Sequence, residues 1–201
     1  MRVLVLGGTQ MLGRDFVERY MAEHSIVLAN RGVTLPGLFP DLEHVAIDRD
    51  VLAAADDYGS VGCRALGCLG PVDGVVDFSC YSPAQLESTV PFLPKYGRYV
   101  FISTMCVYGN TPSNPLYEYC ERKLRCEQWI RDRGLAWAIV RPAAVVGDHD
   151  YTRRFERRGG KYFWAGSGVE AAAGTVPVGD VSRAILDCLV AAQPLQVNLC
   201  R

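Results

Sequence analysis

Tyr119 and Lys123, four residues apart in "LYEYCERKLRCEQ", are the pair in this 201-residue chain best suited to proton chemistry. At i and i+4 they share one face of a helix. A free phenol, with a pKa of about 10, is a poor acid or base at neutral pH. An ammonium beside it stabilises the phenolate and draws that pKa toward the working range. Fifteen residues before Tyr119, a strand signal runs into "FISTMCVYG". That puts Ser103 and Thr104 at a strand's C-terminal end, where open parallel sheets bind ligands. A Tyr-x-x-x-Lys pair is common by chance. Behind a strand ending in Ser-Thr it becomes a specific signal.

A second signal opens the chain. "LVLGGTQMLG", residues 4 to 13, places a strand, glycines and an amphipathic helix in the order of a phosphate-binding turn. Gly7 permits the tight turn after the strand, and Gly13 lets the helix pack closely on the sheet. Gln10 stands where a middle glycine is usual, but its side chain can point outward while its amide still donates. Thr9, Gln10, Met11 and Leu12 are therefore read with Gly7 and Gly13 as the cradle for a pyrophosphate at a helix N-terminus. After the second strand comes "LANRGV", with no acid between Ile26 and Leu35. A carboxylate there would hold an adenosine 2′-hydroxyl, whereas Arg31 can pair with a 2′-phosphate. The expected cofactor is NADP(H), with NAD(H) second. "AIDRD" then brings Asp48, and Arg49 beside it, to the adenine end.

The elements that must position these residues alternate between strand and helix, which predicts a doubly wound parallel sheet in three α/β/α layers, the Rossmann fold. Strands are expected at Arg2–Leu6, Ile26–Asn30, His44–Ile47, Gly74–Phe78, Tyr99–Ser103 and Ala136–Val140. Helices are expected from Leu12 to His24, from Leu116 to Arg131, and from an N-cap at Asp180 onward. The stretch Val51–Gly70 reads as a helix, then a loop. One domain over 1–201 is expected, with 148–175 as a partial insertion on the substrate side.

Together these motifs resemble the extended short-chain dehydrogenase/reductase superfamily, in particular its NAD-dependent epimerase/dehydratase family. "GGTQMLG" resembles its glycine loop, "FISTMCVYG" its strand-five motif, "YCERK" its Tyr-x-x-x-Lys and "VRPAAVVGDHD" its Arg-Pro motif. "DFSCYSPAQ" and the pattern around "YTRRF" are most similar to the branch that includes chloroplast stem-loop-binding proteins. The resemblance implies that Thr104 hydrogen-bonds the reacting oxygen, Tyr119 is the acid/base, and Lys123 binds the nicotinamide ribose and tunes the tyrosine. It implies that Phe78, Ser79 and Cys80 line the cofactor beside Ser103. Arg141, Pro142, Ala143 and Val145 match the loop next to the nicotinamide. Where the family's dehydratases place Asp-Glu after the threonine, this chain has Met105-Cys106, and neither can perform acid/base work. Dehydration is set aside. Most relatives also carry a C-terminal substrate lobe that is largely absent here, so the chain is read as naturally short or truncated.

Bulk properties narrow the partners. A formal net charge of −1 gives no global pull toward nucleic acid or membranes, and no run of 18 apolar residues is present. A strand beginning at Arg2 argues against a signal peptide, and the eight cysteines show no metal-ligand spacing. A reduced, cytoplasmic protein with free thiols and no metal is expected, rather than a disulfide framework. "YTRRFERRGGK" carries five basic residues that read equally as a grip for an anionic substrate, such as a nucleotide sugar, and as a solvated helix face. The expected activity is hydride transfer at a sugar-like hydroxyl or carbonyl, by an oxidoreductase or epimerase. A homodimer through the 116–131 helix is the expected assembly. The alternative is a non-catalytic dinucleotide- or RNA-binding protein on the same fold.

Overall fold

In β1 (Arg2–Leu6), Val3 and Val5 join the apolar cluster on one side of the sheet and Leu4 and Leu6 the cluster on the other, and all four are buried. A strand apolar on both faces requires helices above and below it. The computed structural model provides them; it describes residues 1–54, 61–166, 170 and 174–200, with the backbone alone over 61–63. After β1 come α1 (Met11–Tyr20), β2 (Ser25–Asn30), β3 (Glu43–Ala46), α2 (Arg49–Ala54), α3 (Val61–Cys68), β4 (Val72–Asp77) and α4 (Pro83–Thr89). Then follow β5 (Tyr96–Ile102), α5 (Tyr117–Asp132), β6 (Trp137–Pro142), β7 (Ala144–Val146), β8 (Phe155–Arg158) and β9 (Lys161–Trp164). β10 (Thr175–Pro177), α6 (Val178–Val190) and β11 (Leu195–Leu199) complete the order.

Seven parallel strands form the main sheet in the order β11-β6-β5-β4-β1-β2-β3, the doubly wound Rossmann arrangement. The chain reverses direction across the sheet at β1 and β4, so their C-terminal ends open a crevice. α1 and α6 cover one face with Phe16, Val17, Val181 and Ile185. α3, α4 and α5 cover the other with Leu66, Leu86, Cys126 and Ile130. Each fully buried aliphatic or aromatic side chain contributes about 1.5–3 kcal/mol.

Several expectations change. The stretch read as helix then loop holds both α2 and α3; residues 55–60 within it lie outside the described residues. α6 opens at Val178 rather than Asp180. The basic stretch is not a helix: β8 and β9 form an antiparallel hairpin joined by Gly159 and Gly160, both at positive φ. A two-residue glycine turn of that kind matches the twist of paired strands. The expectation of free thiols fails at Cys106 and Cys120, which are joined by a disulfide. Cys80, Cys126 and Cys188 are buried free thiols, Cys68 and Cys200 are exposed ones, and the side chain of Cys63 lies outside the described residues. Among the described residues no helix is long and apolar enough to cross a membrane, and no cluster of three or more His, Cys, Asp or Glu is placed to hold a metal.

Candidate functional site

The glycine loop closes on itself. Gly7 and Gly8 have φ of 106° and 98°, a region open mainly to glycine. A Cβ on Gly13 would lie 2.9 Å from both the Cα and the amide nitrogen of Gly8, so α1 can start this close to β1 only without a side chain there. Gln10 is the extended N-cap of α1, with its side chain exposed and making no capping bond. Met11 follows at φ 30°, an uncommon conformation for a residue with a side chain. The amides at the start of α1 have no acceptors within the helix, and its dipole favours an anion in front of them.

This loop forms one wall of a cleft of about 320 Å³ at the C-terminal ends of β1, β2, β3 and β4. Gly7, Thr9, Gln10, Met11, Leu12 and Gly13 line it, with Phe78 and Ser79 opposite and Val145 beside them. Arg31 is exposed in the cleft and makes no hydrogen bond or ion pair with a described residue. The position at the end of β2 belongs to Asn30, whose side chain donates to the Gly7 carbonyl (3.2 Å) and accepts from the Gly32 amide (2.7 Å). Asp48 also lines the cleft while its carboxylate accepts from the Asp50 and Val51 amides at the start of α2.

Two arginines read from sequence as cofactor contacts are engaged with buried acids. Arg49 reaches the cleft wall, but its Nη1 donates to both oxygens of the fully buried Asp77 at 2.8 Å, and its Nε donates to Thr89. Arg141 does not line the cleft. Its guanidinium forks onto the fully buried Glu127, and its Nη1 donates to the Tyr108 hydroxyl at 2.5 Å. Ser103 donates to the same Glu127 (2.5 Å) and so faces the core rather than the cleft. Cys80 lies behind the cleft wall, its Sγ 3.8 Å from that of Cys126. Pro142 is buried at the end of β6, and the Ala143 amide donates to the Leu199 carbonyl in β11.

Thr104, Tyr119 and Lys123 are not among the residues lining this cleft; the Lys123 Nζ lies 5.9 Å from the Tyr119 ring centroid. The Thr104 hydroxyl accepts from the Cys106 amide (3.2 Å), and the Cys106–Cys120 disulfide ties this loop to the residue next to Tyr119. Lys123 is buried, its Nζ donating to the carbonyls of Cys80 and Ile102 at 2.8 Å each. Burial lowers the pKa of Lys123 and raises that of Tyr119, with the Arg154 guanidinium opposing the latter. The phenol's pKa is therefore raised, not drawn down as the Tyr-x-x-x-Lys spacing predicts, and Lys123 is not among the groups that shift it. Tyr119 is 36% exposed, beside a second hollow of about 580 Å³ lined also by Tyr81, Asn114, Leu116 and Arg122.

Gly8, Asn30, Tyr81 and Tyr151 are among the cleft-lining residues that were not singled out from sequence, whereas Arg154 belongs to the basic stretch that was. Gly8 was legible, because a closely packed Gly13 needs a bare partner. Tyr81 and Tyr151 gave no spacing signal. They belong to loops whose position only the assembled sheet defines.

Residues 95–192 match the family model described as NAD(P)H-binding. The chain is 27% identical over 176 residues to the chloroplast stem-loop binding protein of 41 kDa b of Arabidopsis thaliana, covering 75% of this chain and 43% of that protein. It thus spans less than half of that relative's length. Among solved structures, a short-chain dehydrogenase/reductase from Veillonella parvula in complex with NADP superposes with a TM-score of 0.63 at 14% identity, over 98% of this chain and 94% of that one. The UDP-N-acetylglucosamine 4-epimerase of Methanobrevibacter ruminantium, in complex with UDP-N-acetylmuramic acid, superposes with a TM-score of 0.69 at 15% identity, over 99% of this chain and 76% of that one.

Proposed function

We propose, from an NAD(P)H-binding match carried on a Rossmann sheet, that this chain is an NADP(H)-dependent oxidoreductase or epimerase acting on a sugar-like hydroxyl or carbonyl. One observation carries the reading: a single cleft runs from the glycine loop and the unpartnered Arg31 to Tyr81 and Tyr151, against which Lys123 and Tyr119 lie. The donor set fits a dinucleotide phosphate, with helix amides for a pyrophosphate and, for a 2′-phosphate, a guanidinium that has no partner among the described residues. A nicotinamide held there supplies or accepts a hydride.

The chain's own residues then handle the proton. Tyr119, protonated, donates to the oxygen of a carbonyl as it becomes an alcohol, and recovers that proton in the reverse direction. Thr104 offers a hydroxyl to the same oxygen. Lys123 keeps one N–H beyond the two given to Cys80 and Ile102, and its role is to hold a ribose hydroxyl. Substrate is proposed to sit in the hollow beside Tyr119, where nucleotide sugars such as those in the epimerase complex are the first candidates. Binding of RNA through the basic hairpin has less support. Arg157, Arg158 and Lys161 are each paired with a carboxylate, on Asp148, Glu156 and Glu170.

Calorimetric titration with NADPH and NADH tests the cofactor assignment. NADPH is expected to bind more tightly. Arg31→Ala should remove most of the difference, a loss of about 1.5–3 kcal/mol for a charge-assisted pair. Equal affinities, or a preference for NADH, would overturn it.

A further inference from the structure

The hydride-transfer reading gives Tyr81 no chemical role. Tyr81 lines both the cofactor cleft and the hollow beside Tyr119. Its ring centroid lies 4.8 Å from the Lys123 Nζ and 6.3 Å from the Tyr119 ring. Its amide donates to the Gln85 side chain (2.6 Å), which in turn donates to Asp50 in the cleft wall (2.5 Å), so the backbone at Tyr81 is fixed from the cofactor side. Phe101 lies beneath the same ammonium, its ring centroid 4.9 Å from Nζ. The result is an ammonium with two N–H groups on carbonyls and the remaining charge against aromatic faces. Such contact stabilises a cation out of water.

We propose that Tyr81 is a positioning residue: its ring caps the Lys123 ammonium, keeps it dry in the absence of cofactor, and swings off when a ribose hydroxyl takes the ring's place. This rests on the proposed role of Lys123. Tyr81 is 43% exposed, whereas Lys123 is 2% exposed, so the ring has room to move outward while the lysine does not. A cap that must be displaced lowers the apparent affinity of the ligand that displaces it.

The chain has three lysines, Lys95, Lys123 and Lys161, so acylation by a water-soluble N-hydroxysuccinimide acetate, read by peptide mass spectrometry, carries its own controls. Without dinucleotide, Lys123 is expected to react slowly in the native chain. In Tyr81→Ala it should react about tenfold faster, with Lys95 and Lys161 unchanged. Tyr81→Phe should behave as native, because the ring and not the hydroxyl forms the cap. If Tyr81→Ala does not fold, Tyr81→Leu, which lacks an aromatic face, gives the same reading. NADPH should bind Tyr81→Ala about two- to fivefold more tightly than the native chain. An unchanged acylation rate in Tyr81→Ala, or markedly weaker NADPH binding, would overturn the cap. Failure of NADPH to protect Lys123 in Tyr81→Ala, despite binding, would instead count against the role given to Lys123 and leave the cap standing.

Discussion

Tyr119→Phe is expected to lower turnover by about 10²- to 10⁴-fold, the usual worth of a positioned acid or base, while leaving NADPH affinity within about twofold. In the proposed reaction the phenol acts on substrate oxygen, and the substitution removes only a hydroxyl, so the ring that packs beside Tyr81 remains. Its pKa, raised by burial, makes the protonated phenol the resting form. Carbonyl reduction should therefore be favoured at neutral pH and fade as pH rises through that pKa. A panel of nucleotide sugars and their keto derivatives, followed by NADPH absorbance with enzyme at stoichiometric concentration, provides the assay. Near-native activity in Tyr119→Phe would remove this residue from the chemistry.

The largest stability effect is expected at Glu127. Its carboxylate is fully buried and holds Arg141, Ser103 and the half-exposed Arg131, so it joins α5 to the ends of β5 and β6. Glu127→Ala strands a guanidinium that is only 7% exposed, and removal of one partner from a buried pair costs about 3–5 kcal/mol. Replacing both partners with apolar residues, Glu127→Met with Arg141→Leu, should recover most of that loss, because no uncompensated charge is left. Urea unfolding of the three variants measures both effects. A loss below about 1 kcal/mol in Glu127→Ala would mean that the cluster does not carry the stability its burial implies.

Much of this was legible in the sequence where local pattern and tertiary role agree. The apolar run of β1, the glycines after it and the i, i+4 spacing of Tyr119 and Lys123 each state their own geometry. The charged residues are where reading from sequence misleads. Arg49 opens α2 and Arg141 lies near the end of β6, but their partners Asp77 and Glu127 lie on other elements and become neighbours only once the sheet is built. Cys106 and Cys120 have no telling spacing, and it is the path from β5 into α5 that brings them together. The β8–β9 hairpin was obscured because β8 carries charges on both faces, yet Gly159-Gly160 was a turn signal in plain view.

The most direct test of the account is whether the glycine-loop cleft holds the dinucleotide. Calorimetry with NADPH is expected to give one site per chain, and Gly13→Ala should bind at least about tenfold more weakly while its circular dichroism stays near native. The reason is steric: the new Cβ would sit 2.9 Å from the Gly8 backbone, and the loop must open to admit it. No heat from either NADPH or NADH on the native chain, or an undiminished affinity in Gly13→Ala, would contradict the account.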